Sequence, residues 1–366
     1  MKLTISKDEL HEKLSNIQNI VEKKNTMPIL SHFLLDAGKD VSCIIATDLQ
    51  VAIKENFKAD VKREGKLCIP ARKLFEIVRE ADGEITLESD EEQWLKVSSG
   101  KSRFRLACLS AGEFPAWPGM EKAEEIEFST QALSEVIEKT LYSAGETDTR
   151  YTLNGLLFHM KPGDRNIIVV GTDGHRLALI NKAIDASVSE EKKVILPRKA
   201  ASEVRRFFGN VEKITLVFGK SHILFRIGDA QFLARLIEGS YPDYEKVLPL
   251  SNKSMVVADR EGFLKSLKRV SIMSKERSNA VRIDFSEGAL VMSSSNPDLG
   301  EAKDEIEASY KDEPLNIGFN ARYLIDVLSA MTSEKIRFAL KDPLSPTLLT
   351  EEGSEDYKCV IMPMRI

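Results

Sequence analysis

The run Ile69-Pro70-Ala71-Arg72-Lys73-Leu74-Phe75-Glu76-Ile77-Val78 reads as a short basic turn opening an amphipathic helix. It returns as Leu196-Pro197-Arg198-Lys199-Ala200-Ala201-Ser202-Glu203-Val204. A looser copy is Phe319-Asn320-Ala321-Arg322-Tyr323-Leu324-Ile325-Asp326-Val327-Leu328. Aligned on Arg72, Arg198 and Arg322, the copies stand 126 and 124 residues apart. Two other anchors keep the same period. Ala46-Thr47-Asp48-Leu49 and Gly171-Thr172-Asp173-Gly174 hold their Thr-Asp pairs 125 residues apart. Helical patterns over Asp8–Val21, Gln131–Ser143 and Glu261–Met273 each follow a residue suited to cap a helix. These are Ser6 (with Glu9 completing a capping box), Ser129 and Asp259. Three anchors on one period indicate three similar structural units.

Between the helices, short β-rich runs bounded by Gly, Asp and Asn read as strands, at 167–170, 214–218, 223–227, 281–285 and 289–292. The expected fold is therefore α+β, each unit carrying two helices packed on antiparallel sheets. Junctions at Lys122–Glu127 and Leu248–Ser254 give domains at 1–122, 123–252 and 253–366. A length of 366 residues suffices for two or three cores. Hydrophobic residues at 42% and charged residues at 30% describe a soluble globular chain. No apolar run approaches the roughly 18 residues a membrane helix needs, so no membrane partner is expected. The charged start Met1-Lys2-Leu3-Thr4-Ile5-Ser6-Lys7-Asp8-Glu9 lacks an apolar signal core, which points to the cytoplasm. Cys43, Cys68, Cys108 and Cys359 lie far apart with no C-x-x-C pair, arguing against a zinc site or a disulfide framework.

Net charge is −5, which disfavours a uniformly basic DNA-binding surface but leaves room for a local one. Helical segments expected at 7–24, 70–81, 129–143, 197–209, 260–277 and 320–331 hold 19 Lys/Arg against 12 Asp/Glu. The rest of the chain holds 33 against 45. This is either one cationic face on an acidic protein or ordinary helix surfaces. No phosphate loop, dinucleotide fingerprint, nucleophile elbow or zincin motif occurs, so no cofactor is expected. His11, His32, His159, His175 and His222 are too scattered to suggest a metal cluster. One cluster invites a catalytic reading: in Thr172-Asp173-Gly174-His175-Arg176, Asp173 could orient His175 as a general base. The competing reading is a strand-ending turn, favoured because Thr47-Asp48 repeats the pair without the histidine. No catalytic residue is therefore assigned.

The run Gly171-Thr172-Asp173-Gly174-His175-Arg176-Leu177-Ala178 joins two other signatures. They are Glu238-Gly239-Ser240-Tyr241-Pro242-Asp243-Tyr244 with Val247-Leu248-Pro249, and the terminus Val360-Ile361-Met362-Pro363-Met364-Arg365-Ile366. Met27-Pro28-Ile29-Leu30, Ile69-Pro70-Ala71-Arg72-Lys73 and Arg150-Tyr151 with Leu153-Asn154-Gly155 follow in order. Together they resemble the bacterial β sliding clamps, the processivity subunits of DNA polymerase III, along the whole chain. The resemblance implies three clamp domains per chain and a head-to-tail dimeric ring around duplex DNA, with helices lining the hole. It implies Lys24, Arg72, Lys73, Arg198 and Lys199 as DNA contacts, with Tyr151 beside them. Neutralising Arg72 and Arg198 should shorten DNA residence without unfolding the protein.

A partner-peptide groove is also implied, formed by Leu153, Thr172, Leu177, Pro242, Val247, Val360 and Met362. Gly174, His175, Arg176, Asn320, Tyr323, Pro363, Met364 and Arg365 would complete it, with Arg150 near by. An apolar C-terminus can instead be a last core strand, but Pro363 cannot donate to a ladder. Thr152 and Pro346 depart from residues common in the family and bear on the second subsite. For the dimer interface, Phe104 and Leu106 would meet Ile272 and Met273, and Lys73 and Arg103 would face Asp298, Glu301 or Glu305. The implied partners are duplex DNA without sequence preference, a second copy, the polymerase III catalytic subunit, an ATP-driven clamp loader and other clamp-motif proteins. Two alternatives stand beside this: a peptide-binding scaffold without stable ring closure, and a hydrolase using Asp173 and His175.

Overall fold

In the computed structural model, the described residues are 1–21, 27–90, 93–120, 124–249, 251–274 and 278–365. The first repeat runs β1 (Lys2–Ser6), α1 (Lys7–Ile17), β2 (His32–Ala37), β3 (Ser42–Thr47), β4 (Val51–Phe57), an extra short β5 (Asp60–Arg63), β6 (Gly65–Pro70), α2 (Ala71–Arg79), β7 (Glu84–Ser89), β8 (Trp94–Ser99) and β9 (Ser102–Ala107). The second runs β10 (Glu124–Ser129), α3 (Thr130–Leu141), β11 (Gly155–Met160), β12 (Asn166–Thr172), β13 (Arg176–Ala183), β14 (Lys192–Pro197), α4 (Arg198–Val204), β15 (Lys213–Phe218), β16 (His222–Ile227) and β17 (Ala230–Arg235). The third runs β18 (Ser254–Asp259), α5 (Arg260–Ser271), β19 (Ala280–Ser286), β20 (Ala289–Asn296), β21 (Gly300–Ser309), β22 (Leu315–Asn320), α6 (Ala321–Ala330), β23 (Lys335–Leu340), β24 (Thr347–Glu351) and β25 (Tyr357–Ile361). Three copies of one order confirm the repeat.

In each repeat the first strand forms one group with the last three, pairing with the earliest of them, and the middle strands form a second group of four. The groups then join edge to edge. One eight-stranded sheet runs β10-β15-β16-β17-β4-β3-β2-β6, and one twelve-stranded sheet runs β14-β11-β12-β13-β25-β24-β23-β18-β21-β20-β19-β22. The joints are β17 on β4, pairing Leu233 with Ala52, and β25 on β13, pairing Val360 with Leu177. Because the central repeat hydrogen-bonds to both neighbours, the chain divides by contact into two compact units that cut it through. One unit is Met1–Thr130 with Ser202–Leu236; the other is Gln131–Ala201 with Ile237–Ile366.

Two edges corresponding to those joints stay open among the described residues. β9 ends the five-stranded sheet β5-β1-β7-β8-β9, and β21 pairs with β20 along Gly300–Glu307 but with β18 only at Ala308 and Ser309.

The helices form where apolar residues recur at helical spacing, and they bury those faces. α2 buries Ala71, Leu74 and Val78; α5 buries Phe263, Leu267 and Val270; α6 buries Ala321, Leu324, Val327 and Leu328. Each large side chain so buried contributes about 1.5–3 kcal/mol. Ser6 and Asp259 cap their helices as expected, accepting from Glu9 N and Gly262 N. The reciprocal half of the Ser6 box is not made, because the Glu9 carboxylate accepts from Lys58 N instead.

Several boundaries move. α1 stops at Ile17, with Val21 N turned back onto Ile17 O. β10 occupies most of the junction expected at Lys122–Glu127, whereas the junction expected at Leu248–Ser254 runs up to the start of β18. The described helices hold 13 Lys/Arg against 9 Asp/Glu; Lys23, Lys24, Lys275 and Arg277 of the expected segments lie outside the described residues.

The alignment of the basic turn also shifts by one residue. His32 pairs with Pro70, Gly155 with Pro197 and Ala280 with Asn320, so Pro70, Pro197 and Asn320 are equivalent. Arg72 therefore corresponds to Lys199 and Arg322, while Arg198 takes the place of the buried Ala71 and Ala321.

Candidate functional site: a groove beside the β13–β25 joint

The floor is made where β25 pairs with β13. Leu177 and Val360 face each other across the joint and lie in a buried cluster with Leu157, Val170, Leu179, Ile195 and Tyr244. The rim is the turn between β12 and β13. Thr172 Oγ1 donates to Arg176 O at 2.6 Å and accepts from Gly174 N at 3.1 Å. Asp173 Oδ1 accepts from the amides of His175 and Arg176 at 2.9 and 3.1 Å. Gly174 sits at φ 83°, a left-handed conformation that glycine adopts without strain.

The first repeat builds the same turn. Thr47 Oγ1 donates to Val51 O and accepts from Leu49 N, and Asp48 Oδ1 accepts from the amides of Gln50 and Val51. The turn reading of Thr172-Asp173 is thus the observed one. The other oxygen of Asp173 accepts from Arg176 Nε at 3.0 Å, so the carboxylate is occupied by the turn and Arg176 rather than orienting the His175 ring.

Arg176 is the electrostatic centre of the joint. It reaches Asp326 Oδ2 at 2.6 Å and Tyr142 O at 2.6 Å, and its guanidinium lies 4.5 Å from the Tyr323 ring. Such a charge is tolerable out of water only with this many partners. Arg150 closes one end, chelating Asp148 at 3.0 and 2.9 Å and donating to Asp173 O at 3.1 Å. Its hydrogen bonds pull the Asp148 carboxyl down to about 2. From behind, His159 Nδ1 lies 2.7 Å from Tyr244 Oη and its Nε2 lies 3.0 Å from Glu191, which fixes the tyrosine against the floor. Burial pushes the Tyr244 phenol up to about 12.

The cavity has a volume of about 200 Å³. It brings together Arg150, Leu153, Thr172, Gly174, His175, Arg176, Leu177, Pro242, Val247, Val360 and Met362, all expected from the sequence. Tyr241 and Tyr244 line it too and were not singled out. Val360 is both a core strand residue and part of the floor, whereas Met362 and Pro363 lie beyond β25. Met362 N donates to His175 O at 2.9 Å, and Met364 N donates to Gly318 O at 2.7 Å.

Seven expected residues do not line this cavity: Thr152, Asn320, Tyr323, Pro346, Pro363, Met364 and Arg365. Asn320 caps α6, Tyr323 lies under Arg176, and Pro346 O accepts from Asn252. The groove is therefore mostly apolar, with polar groups at its rim, and suits an extended segment carrying aliphatic side chains.

The expected DNA contacts separate into two kinds. Arg72 and Lys73 project from α2, both paired with Glu76, at 3.2 and 2.8 Å. Lys199 is exposed on α4, and Tyr151 is 60% exposed on a short 3-10 turn, Tyr151–Leu153. Arg198 differs from its expected role as a surface cation. It donates to Leu141 O and Ala144 O at 2.7 and 2.5 Å and pairs with Glu146, closing the end of α3. The reason is its place at the Ala71 position, which points inward. Lys24 lies outside the described residues.

Of the expected interface residues, Phe104 is 42% exposed and Leu106 half-buried on the open strand β9, which also carries exposed Arg103. Ile272 is 72% exposed just past α5, with Met273 half-buried. Asp298, Glu301 and Glu305 are exposed at or before β21. Among the described residues no helix is long and apolar enough to cross a membrane.

Comparison with known proteins agrees with this geometry. Family models for the DNA polymerase III beta subunit match residues 1–118 (N-terminal domain), 127–243 (central domain) and 245–365 (C-terminal domain). The beta sliding clamp of Caulobacter vibrioides strain NA1000 / CB15N is 36% identical over 373 residues, covering all of both chains. The solved DNA polymerase III subunit beta from Pseudomonas aeruginosa superposes with a TM-score of 0.95 at 33% identity over the full length of both. A sliding clamp from Bartonella birtlesii, solved bound to griselimycin, does so with the same TM-score and identity, again over all of both chains. The three matched domains, the repeated joints and the full-length likeness lead to one conclusion: the chain belongs to the DNA polymerase III beta subunit family, the beta sliding clamps.

Proposed function

We propose that two copies of this chain close head to tail into a ring around duplex DNA, and that the groove at the β13–β25 joint holds peptide segments of the DNA polymerase III catalytic subunit and other client proteins. The observation that carries ring closure is the pair of open edges. β9 corresponds to β17 and β25, and β21 to β4 and β13, so a third joint of the same kind would pair β9 of one chain with β21 of another.

Registers followed through the sheets make Phe104 equivalent to Phe232 and Cys359. Phe232 and Cys359 are fully buried at their joints, whereas Phe104 is 42% exposed. Counting from Ser129 and Asp259, the residues preceding α3 and α5, Ile272 is equivalent to Tyr142, whose hydroxyl lies 3.3 Å from Cys359 Sγ across the second joint. Ile272 would then meet Phe104, with Met273 beside Leu106. The same register sets Arg105, a residue not singled out from the sequence, against Glu301, where Leu233 meets Ala52. Lys73 and Arg103 would face the acidic stretch that holds Asp298, Glu301 and Glu305. Two reciprocal joints per ring would leave neither β9 nor β21 open.

Arg72, Lys73 and Lys199 would supply weak, sequence-independent phosphate contacts. Encirclement rather than affinity would retain the DNA, so few contacts suffice and sliding stays fast. Tyr151 at the groove's end and Lys24 are proposed as further DNA contacts. The role of Thr152, Asn320, Tyr323, Pro346, Pro363, Met364 and Arg365 would be a second peptide subsite beside the described cavity. The boundaries between the three domains would fall near 122 and 252, just before β10 and β18. With no nucleotide-binding motif, opening requires a separate ATP-driven loader, and the chain works in the cytoplasm as a non-catalytic tether. The test is native mass by sedimentation at micromolar and nanomolar concentration, followed by retention on circular DNA. A dimer that survives dilution and leaves DNA on linearisation supports the ring. A monomer that still binds clamp-motif peptides would make the chain a scaffold.

A further inference from the structure

The β17–β4 joint carries a second groove built on the plan of the first. Ala52 and Leu233 form its floor, where Leu177 and Val360 form the other. Its rim is the Thr47-Asp48 turn, the counterpart of Thr172-Asp173 bond for bond. Arg235 N donates to Gln50 O at 2.8 Å, as Met362 N donates to His175 O at 2.9 Å, so Arg235 stands where Met362 does. The wall repeats as well. Gly112-Glu113-Phe114-Pro115-Ala116-Trp117 and Gly239-Ser240-Tyr241-Pro242-Asp243-Tyr244 share a glycine, an aromatic-proline pair and a second aromatic at one spacing, 127 residues apart. Pro115 and Trp117 line the β17–β4 groove, Pro242 and Tyr244 the β13–β25 groove.

The differences define what the β17–β4 groove would take. Its volume is about 80 Å³ against about 200 Å³, because Trp117 packs onto the cluster containing Ala52 and Leu233. That leaves room for one aliphatic side chain rather than several. The rim carries the Arg235 guanidinium and the His222 ring, and among the described residues no carboxylate lines it. An extended peptide with one aliphatic side chain and a carboxylate one or two residues away complements both features.

We propose that the β17–β4 groove is a second docking site for such an acidic-aliphatic peptide, weaker than the β13–β25 groove. The proposal rests, through the repeat, on the peptide reading of the β13–β25 groove. Losing the burial of about one aliphatic side chain makes it roughly ten- to a hundredfold weaker.

The chain has two tryptophans, so Trp94→Phe leaves Trp117 as the sole fluorophore within this groove. The probe is acetyl-Gln-Leu-Asp-Leu-Phe with a free carboxylate, titrated into the full chain and followed by Trp117 emission and by calorimetry. The expected result is a saturable Trp117 change that persists with Met362→Glu, is lost with Arg235→Glu and is kept with Arg235→Lys. Arg235 and Met362 are both exposed, so folding should survive either change. No Trp117 change at a hundredfold beyond saturation of the β13–β25 groove overturns the proposal. So does a change that disappears with Met362→Glu or survives Arg235→Glu. A tighter calorimetric phase left unchanged by Met362→Glu would instead sink the reading of the β13–β25 groove, whatever Trp117 does.

Discussion

One residue of register decides what the basic side chains of α2 and α4 do. Arg198 and Arg72 look alike in sequence, yet Arg198 is bonded to the carbonyls that end α3 while Arg72 projects into water. Arg198→Ala should cost about 2 kcal/mol, the scale of charged hydrogen bonds lost from a partly buried site, and lower the midpoint of denaturant unfolding. Arg72→Ala and Lys199→Ala should leave that midpoint unchanged and shorten DNA residence. The sequence could not separate these roles, because the one-residue offset is set by strand pairing rather than by local pattern.

Glu55 makes a second point at this scale. It lies buried between Asn16 and Lys13, at 2.9 and 3.6 Å, with one carboxylate oxygen unpartnered, and burial raises its pKa. A raised carboxyl contributes stability fully below its unfolded pKa of about 4.3, and that contribution is lost as pH rises through the folded value. Glu55→Gln mimics the neutral form, so it should raise the melting temperature at pH 8 but not at pH 4. A fall at pH 8 would mean the Lys13 pair outweighs the burial.

Strands and helices carry the assembly. At the β13–β25 joint the strand pairing is backed by a helix end: Tyr142, just past α3, is hydrogen-bonded to Tyr357 and Cys359 of the neighbouring strand. Replacing Ile272, its counterpart, with Ala should remove about 1–2 kcal/mol per interface and weaken dimerisation at least tenfold, measured by sedimentation over a dilution series. A dimer unaffected at nanomolar concentration would refute the equivalence with Tyr142. Much at this scale was legible in advance. The helix starts followed from their caps, and the strands followed from β-branched runs ending at Gly or Asp. Helix ends were less so, because apolar residues such as Ile20 and Val21 continue the pattern after α1 has stopped. The aromatic-proline wall was also missed as a repeat anchor, since its residues change identity between copies and only the groove shows their common place.

For the molecule as a whole, the period of about 125 residues was enough to identify three related units, and the resemblance named most of the groove. Sequence could not show that the central repeat shares its sheets with both neighbours. That fact is long-range pairing and leaves no local trace. If the ring is closed, retention on circular DNA should fall only slightly as salt rises from 50 to 200 mM, whereas cutting the DNA should release it. A binder held by many phosphates would lose affinity about a thousandfold or more over that range.

The two open edges have one more consequence, best put in the language of polymerisation. A chain with complementary ends that cannot satisfy each other is a bifunctional monomer, and such monomers either cyclise or extend. Cyclisation is unimolecular and extension bimolecular, so dilution favours small rings and crowding favours open chains. The linkers would set which product wins by fixing how far each added unit turns. A change there that leaves both edges intact would turn a discrete assembly into a fibre.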